Sequence, residues 1–240
     1  MKKQYFLVLD TETTQSDHVA DFGAVIVDKK GKVYSSISVL VDGIYGNENH
    51  PLFFDPASKD GIWSKKSRKR REENYDRHLL NGTRMLASVS AINKWLVTAR
   101  LTYPNIIWTA YNSAFDLNKC SNSGIDLSVF GSNTFCLWQA AYTQFAHTKK
   151  FRNFCLGIHA FNPPTKYGNM TYKTNAETMA RFVLNNPTMP DEPHTAFEDL
   201  DYEVPILLKL LKLRSTKWIL ESPKAYNWRA MQVRDNFTSI

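Results

Sequence analysis

The stretch LVLDTETT, residues 7 to 14, decides how the chain is read. It continues the apolar run QYFLVLD (4–10), which has strand length and no polar alternation. That is the mark of a central strand buried on both faces. The run ends in Asp10 and Glu12. On a strand, residues i and i+2 share a face, so the two carboxylates stand side by side and each makes the other costlier to ionise. Such a pair calls for a cation between them.

Outward from this strand, VADFGAVIVD (19–28) and VYSSISVLVD (33–42) read as two more strands, joined by the Gly-containing turn KKGK. Short links between three successive strands predict an antiparallel meander. Residues 43 to 80 break the pattern with Gly43, Gly46, Pro51, Pro56 and Gly61, followed by the charge run KKSRKRREE (65–73). They read as an irregular insertion ending in a basic helical or mobile segment. Met85, Leu86, Val89, Ile92, Leu96 and Ala99 recur at helical spacing and predict an amphipathic helix over 83–100. NIIWTAYN (105–112) reads as a fourth strand, with a short helix starting near Phe115. TFCLWQ (134–139) reads as a fifth strand running into a helix, 160–172 as a loop, and 174–185 and 195–213 as helices.

A chain of 240 residues holds one substantial core and is short for two domains. It is therefore expected to form a single α/β domain over 1–240, with a basic insertion at about 43–80 and a C-terminal tail from about 221. Lys and Arg number 30 against 23 Asp and Glu, and the net charge of +7 favours a polyanionic partner, nucleic acid before an acidic membrane surface. Three cysteines without a CxxC pair argue against a disulfide framework. With no apolar run near membrane-spanning length, the expected compartment is the cytoplasm.

Two further acids sit where chemistry is usually placed. Asp116 closes YNSAFD (111–116), just past the carboxyl end of the fourth strand, the edge at which open α/β sheets bind ligands. Asp199 lies in HTAFED (194–199), where Thr195 and Glu198 fit a capping box that starts a helix at Thr195. His194 then stands just outside that helix.

DTE at 10–12, NSAFD at 112–116 and HTAFED at 194–199 resemble, in order and rough spacing, the three motifs of the DEDD exonucleases. The histidine five residues before the last aspartate resembles the DEDDh branch, which includes proofreading subunits and ribonuclease T. The likeness extends over most of the chain, leaving 43–80 and the tail outside it. It implies a ribonuclease H-like fold, with a central mixed five-stranded sheet flanked by helices. It also implies 3′→5′ removal of nucleoside monophosphates from single-stranded or frayed ends, DNA more than RNA.

The implied cofactors are two divalent ions, Mg²⁺ with Mn²⁺ able to substitute, of the kind that work about 3.5–4 Å apart. Asp10, Glu12 and Asp199 would hold the ion that activates water. Asp10 would bridge to the second, Asp116 would contribute directly or through water, and His194 would be the general base. Implied substrate contacts are Thr11, Thr13, Thr14, Asn112 and Phe115. The basic residues Lys65, Lys66, Arg68, Lys69, Arg70 and Arg71 read as a phosphate-tracking arm. Members of the family dimerise or serve polymerases, and the compact layout resembles bacteriophage-encoded members, which act in a host cytoplasm. An RNA-trimming exoribonuclease and a non-catalytic nucleic-acid-binding module are the alternative readings.

Many relatives continue DxETT with Gly and a bulky apolar wedge, whereas this chain has Gln15-Ser16. Trp63, Tyr111 and Trp138 are further aromatics able to stack on bases, but most aromatics in such a chain are core and only Phe115 is expected near the site. Glu198, Asp201 and Glu203 are expected on a solvated helix face. Cys136, His147, Cys155 and His159 match no common zinc spacing.

Overall fold

The computed structural model describes residues 3–233. Its central strand is β1 (Tyr5–Thr13), where Phe6 to Leu9 are fully buried, as a run apolar on both faces requires. β1 pairs antiparallel with β2 (Val19–Asp28), and β2 antiparallel with β3 (Val33–Val41). The expected meander is present. Its second hairpin turns at Gly31, whose φ of +82° is a conformation that side chains with a Cβ rarely adopt.

The insertion then contributes α1 (Lys65–Leu80), which Ser64 caps by accepting a hydrogen bond from Ser67 N. β4 (Met85–Ala87) lies parallel to β3 and is followed by α2 (Val89–Thr102). β5 (Ile107–Ala110) runs parallel to β1 and leads into α3 (Ser113–Asn122). β6 (Thr134–Cys136) runs parallel to β5 and continues directly into α4 (Leu137–Ala141) and a π-helical turn at Tyr142–Ala146. After these come α5 (Lys149–Gly157), α6 (Ala176–Leu184), α7 (Ala196–Leu213) and α8 (Thr216–Glu221).

The result is a mixed α/β fold with a six-stranded sheet in the order β4-β3-β2-β1-β5-β6. One face packs on α4 to α7 through residues such as Phe6, Val8, Phe151, Met179 and Ile206. The other packs on α2 and α3 through Leu7, Leu9, Ile92, Leu96 and Cys120. No described helix is long and apolar enough to cross a membrane.

The strand count corrects the expectation of five. Met85 and Leu86 fall at helical spacing, yet they pair with Val39 and Leu40 along the free edge of β3. Ser88 sets the start of α2 by accepting from Ala91 N, so the helix begins at Val89 and not at 83. The basic run is an ordered helix. It is held down by Tyr75, which is buried with Ala20, Leu40 and Leu52. Helix α5 was not anticipated in the sequence. The tail from 221 carries a 3₁₀ turn, Trp228–Met231, with Met231 buried, and its last seven positions lie outside the described residues.

Two features seat α7. A Cβ on Gly23 of β2 would lie 2.5 Å from Ala196 C and from Phe197 N, so only glycine lets the helix start this close to the sheet. Buried Asp21 accepts from Ala196 N at 2.8 Å and from Arg84 Nη2 at 3.2 Å. The capping box is not formed as expected. Thr195 is the N-cap residue, but its hydroxyl donates to Glu198 Oε2 at 2.7 Å and Asp21 takes the backbone N–H.

Candidate active site

Asp10 and Glu12 lie near the carboxyl end of β1, with β2 on one side and β5 on the other. Asp116 enters from the first turn of α3, behind Asn112, whose φ of +81° turns the chain from β5 into the helix. Asn and Asp adopt that left-handed conformation more readily than most residues. Asp199 comes from the first turn of α7. His194, also left-handed at φ +55°, sits ahead of that helix, and its backbone N–H donates to Asp199 Oδ1 at 3.1 Å.

These five residues line one cavity of about 370 Å³, together with Thr11, Thr13, Tyr111, Asn112, Phe115 and Lys119. Thr11 Oγ1 donates to Asp116 Oδ1 at 2.9 Å and fixes that carboxylate. Ligand atoms of Glu12, His194 and Asp199 all lie within 4.8 Å of one another, close enough to share an ion. His194 Nδ1 is 4.0 Å from Glu12 Oε1. The donor set is mainly hard carboxylate oxygen, which fits Mg²⁺ or Mn²⁺.

The electrostatics are those of acids crowded out of water. Burial, then the charge of Asp21, pushes Asp10 up to about 7. Burial and the charge of Asp10 hold Asp116 and Asp199 well above the usual carboxylate range. The same pair of causes raises Glu12, opposed by the Arg71 guanidinium. His194 moves the other way, to about 4, because burial and then Arg71 disfavour the imidazolium.

The insertion reaches into this site. Arg71 is 4% exposed, its Nη1 lies 3.4 Å from Glu12 Oε2, and its Nη2 donates to Phe53 O at 2.6 Å. The guanidinium stacks on Trp63 at 4.9 Å, and the Trp63 ring lies 5.5 Å from Phe53 and 5.1 Å from His194. Phe53 and Trp63 therefore form an aromatic wall of the cavity. Gln15-Ser16 is tied to the same insertion: Gln15 N donates to Pro51 O at 2.9 Å, and Gln15 Nε2 donates to Phe54 O.

Several expected substrate contacts lie elsewhere. Lys65, Lys66, Lys69 and Arg70 are exposed on α1, Arg68 pairs with Glu72 at 3.4 Å, and none of them lines the cavity. Arg71 is spent on Glu12, so the run is not one continuous arm. It divides because a helix turns successive residues to different faces. Thr14 is fully buried, with its N–H donated to His18 O at 2.8 Å, and it does not line the cavity. Trp138 donates to Thr174 Oγ1 at 3.0 Å and stays away from the site.

Sequence reasoning passed over two acids and a lysine. Glu203 is not on a solvated face: it is 2% exposed and lines the cavity. Its signal was available, since it follows Asp199 by four residues and so shares its side of α7. Glu198 keeps a third of its side chain exposed, as expected of a solvated face, but also pairs with buried Arg84 at 2.6 Å. Glu192 lines the cavity from the loop before His194, where no periodicity marks it, and burial followed by Asp10 pushes it to about 8. Lys119 stacks on Phe115 at 4.9 Å, pairs with Asp17, and places a cation at the rim. Of Cys136, His147, Cys155 and His159, none joins the metal-ligating group found among the described residues.

No protein-family model and no curated protein sequence matches the chain. Among solved structures it is similar to E. coli exonuclease I, crystallised in complex with a dA16 oligonucleotide. The identity is 14% and the TM-score 0.47, over 90% of this chain and 42% of that one.

Proposed function

We propose that this chain is a metal-dependent 3′→5′ exonuclease acting on single-stranded ends, DNA in preference to RNA. The observation that carries the reading is the convergence of Asp10, Glu12, Asp116, Asp199 and His194, from three distant segments, on one cavity. A structural role accounts poorly for five such groups, since buried carboxylates without cations cost stability. Polarity and the preference for DNA come from the motif resemblance.

Two divalent ions at such a centre supply positive charge for the leaving oxygen and lower the pKa of a bound water. Asp10 and Glu12 present their oxygens to that centre from one strand face, and Asp199 meets them from α7. Thr11 keeps Asp116 in its orientation through the 2.9 Å hydrogen bond. His194 is neutral at physiological pH because its pKa is near 4, so its Nδ1, beside Glu12, is free to accept the proton of the attacking water. The Phe53–Trp63 wall and Phe115 offer flat apolar faces to bases, and Lys119 offers a cation to a phosphate.

The test is cleavage of 5′-labelled single-stranded DNA and RNA of one sequence in Mg²⁺, Mn²⁺ or EDTA. Asp10→Ala and His194→Ala proteins are run beside the wild type. A ladder shortening from the 3′ end, absent in EDTA and in Asp10→Ala, is expected. Strands left intact in every condition would return the chain to a nucleic-acid-binding module, and faster loss of RNA would reverse the sugar preference.

A further inference from the structure

Seven carboxylates line the cavity, and the motif resemblance uses four of them. Glu203 is the most deeply buried of the remaining three, the others being Asp17 and Glu192. It stands one turn beyond Asp199 on α7, it is 2% exposed, and its Oε2 has no hydrogen-bond partner among the described residues. A buried acceptor left unpaired costs on the order of 1–3 kcal/mol, more when charged, so its retention needs a reason.

The distribution of positive charge around the cavity narrows that reason. Glu12 has Arg71 at 3.4 Å, and Asp21 has Arg84 at 3.2 Å. Among the described residues no Lys, Arg or His forms an ion pair with Asp10, Asp116 or Glu203. Lys119 also lines the cavity but is paired with Asp17, so these three acids have no cationic side chain of their own. We propose that Glu203 is a fifth carboxylate ligand of the metal centre, acting beside Asp10 and Asp116.

The inference rests on the metal-dependent reading above and adds a ligand that the motifs do not contain. Supporting it, burial raises the Glu203 carboxyl well above its usual range, and the strongest charges acting on it are those of Asp10 and then Asp116. An oxygen donor on a helix is also well suited to such a site, because the turn of α7 that carries Asp199 fixes its position.

The experiment is a Mn²⁺ titration of the full chain, followed by electron paramagnetic resonance of free Mn²⁺ and by calorimetry. Wild type, Glu203→Gln, Glu203→Asp and Asp10→Asn are compared. Glutamine copies the shape of the protonated acid that burial favours, so Glu203→Gln retains the fold, and its metal-free Tm checks this. Wild type is expected to bind two ions. Glu203→Gln is expected to lose about 10- to 100-fold in affinity for one ion and leave the other unchanged. Glu203→Asp, which keeps the charge on a shorter arm, is expected to fall between them. Superimposable isotherms for wild type and both Glu203 variants would overturn the inference. If Asp10→Asn loses an ion while the Glu203 variants do not, only the fifth ligand falls. If Asp10→Asn also binds as wild type does, the metal-dependent reading falls with it.

Discussion

Arg71 touches Glu12, Trp63 and the backbone of Phe53 at once, and its charge also reaches His194. A guanidinium carries its donors in a rigid fork, so one buried side chain can hold several partners that a lysine could not. It opposes, without overcoming, the burial and the Asp10 charge that raise the Glu12 carboxyl, and it helps keep the imidazole neutral. In Arg71→Met the His194 pKa is expected to rise from about 4 toward, but not beyond, the ordinary 6.5, because burial remains. A pH titration of the imidazole proton resonances in the metal-free protein measures this. An unchanged value would mean that burial alone sets the shift. None of this was legible in the sequence, where Arg71 is one of six basic residues among the seven positions 65–71 and nothing distinguishes the one that turns inward.

At the scale of elements, the two that build the site meet with almost no clearance. Helix α7 starts against β2 where Gly23 has no side chain, and Asp21, two residues earlier, accepts from Ala196 N. Gly23→Ala is expected to push α7 away, at a cost of about 1–3 kcal/mol in stability. A displacement of about 1 Å of Asp199 and His194 would lower kcat by roughly 100-fold. Thermal unfolding and steady-state cleavage report the two effects, and wild-type kcat with a lowered Tm would show that the site tolerates the shift. The strands and this helix were readable because their apolar periodicity is long and unbroken. Strand β4 was not, since three residues on a sheet edge carry too little pattern to compete with the helical spacing of Met85, Leu86 and Val89. The docking of the insertion was hidden for another reason: its contacts to Glu12 and Leu40 join parts of the chain far apart in sequence.

For the whole molecule, the acids set an opposition between folding and pH. Asp10 titrates near 7 and Glu192 near 8 in the folded chain, both far above their unfolded values. Between pH 6.5 and 8.5 the folded state therefore binds more protons than the unfolded state, and stability falls as pH rises. His194, depressed to about 4 from the ordinary 6.5, has the opposite sign, but only the small end of its contribution falls above pH 6.5. The metal-free protein is expected to lose about 2 kcal/mol across the window, or roughly 4–8 °C in Tm. Millimolar Mg²⁺ or Mn²⁺ is expected to restore it, because a cation replaces the protons. Scanning calorimetry with and without metal at both pH values decides the point. A Tm that is flat with pH and indifferent to metal would contradict the electrostatic picture.

The separation of the site along the chain also has a consequence in time. Asp10 and Asp199 are 199 − 10 = 189 residues apart, with Asp116 between them. At translation rates of about 5–20 residues per second, the first carboxylates leave the ribosome roughly 10–40 s before α7 does. Throughout that interval the nascent chain has no complete centre, so the site can be assembled only after α7 has emerged and docked on β2.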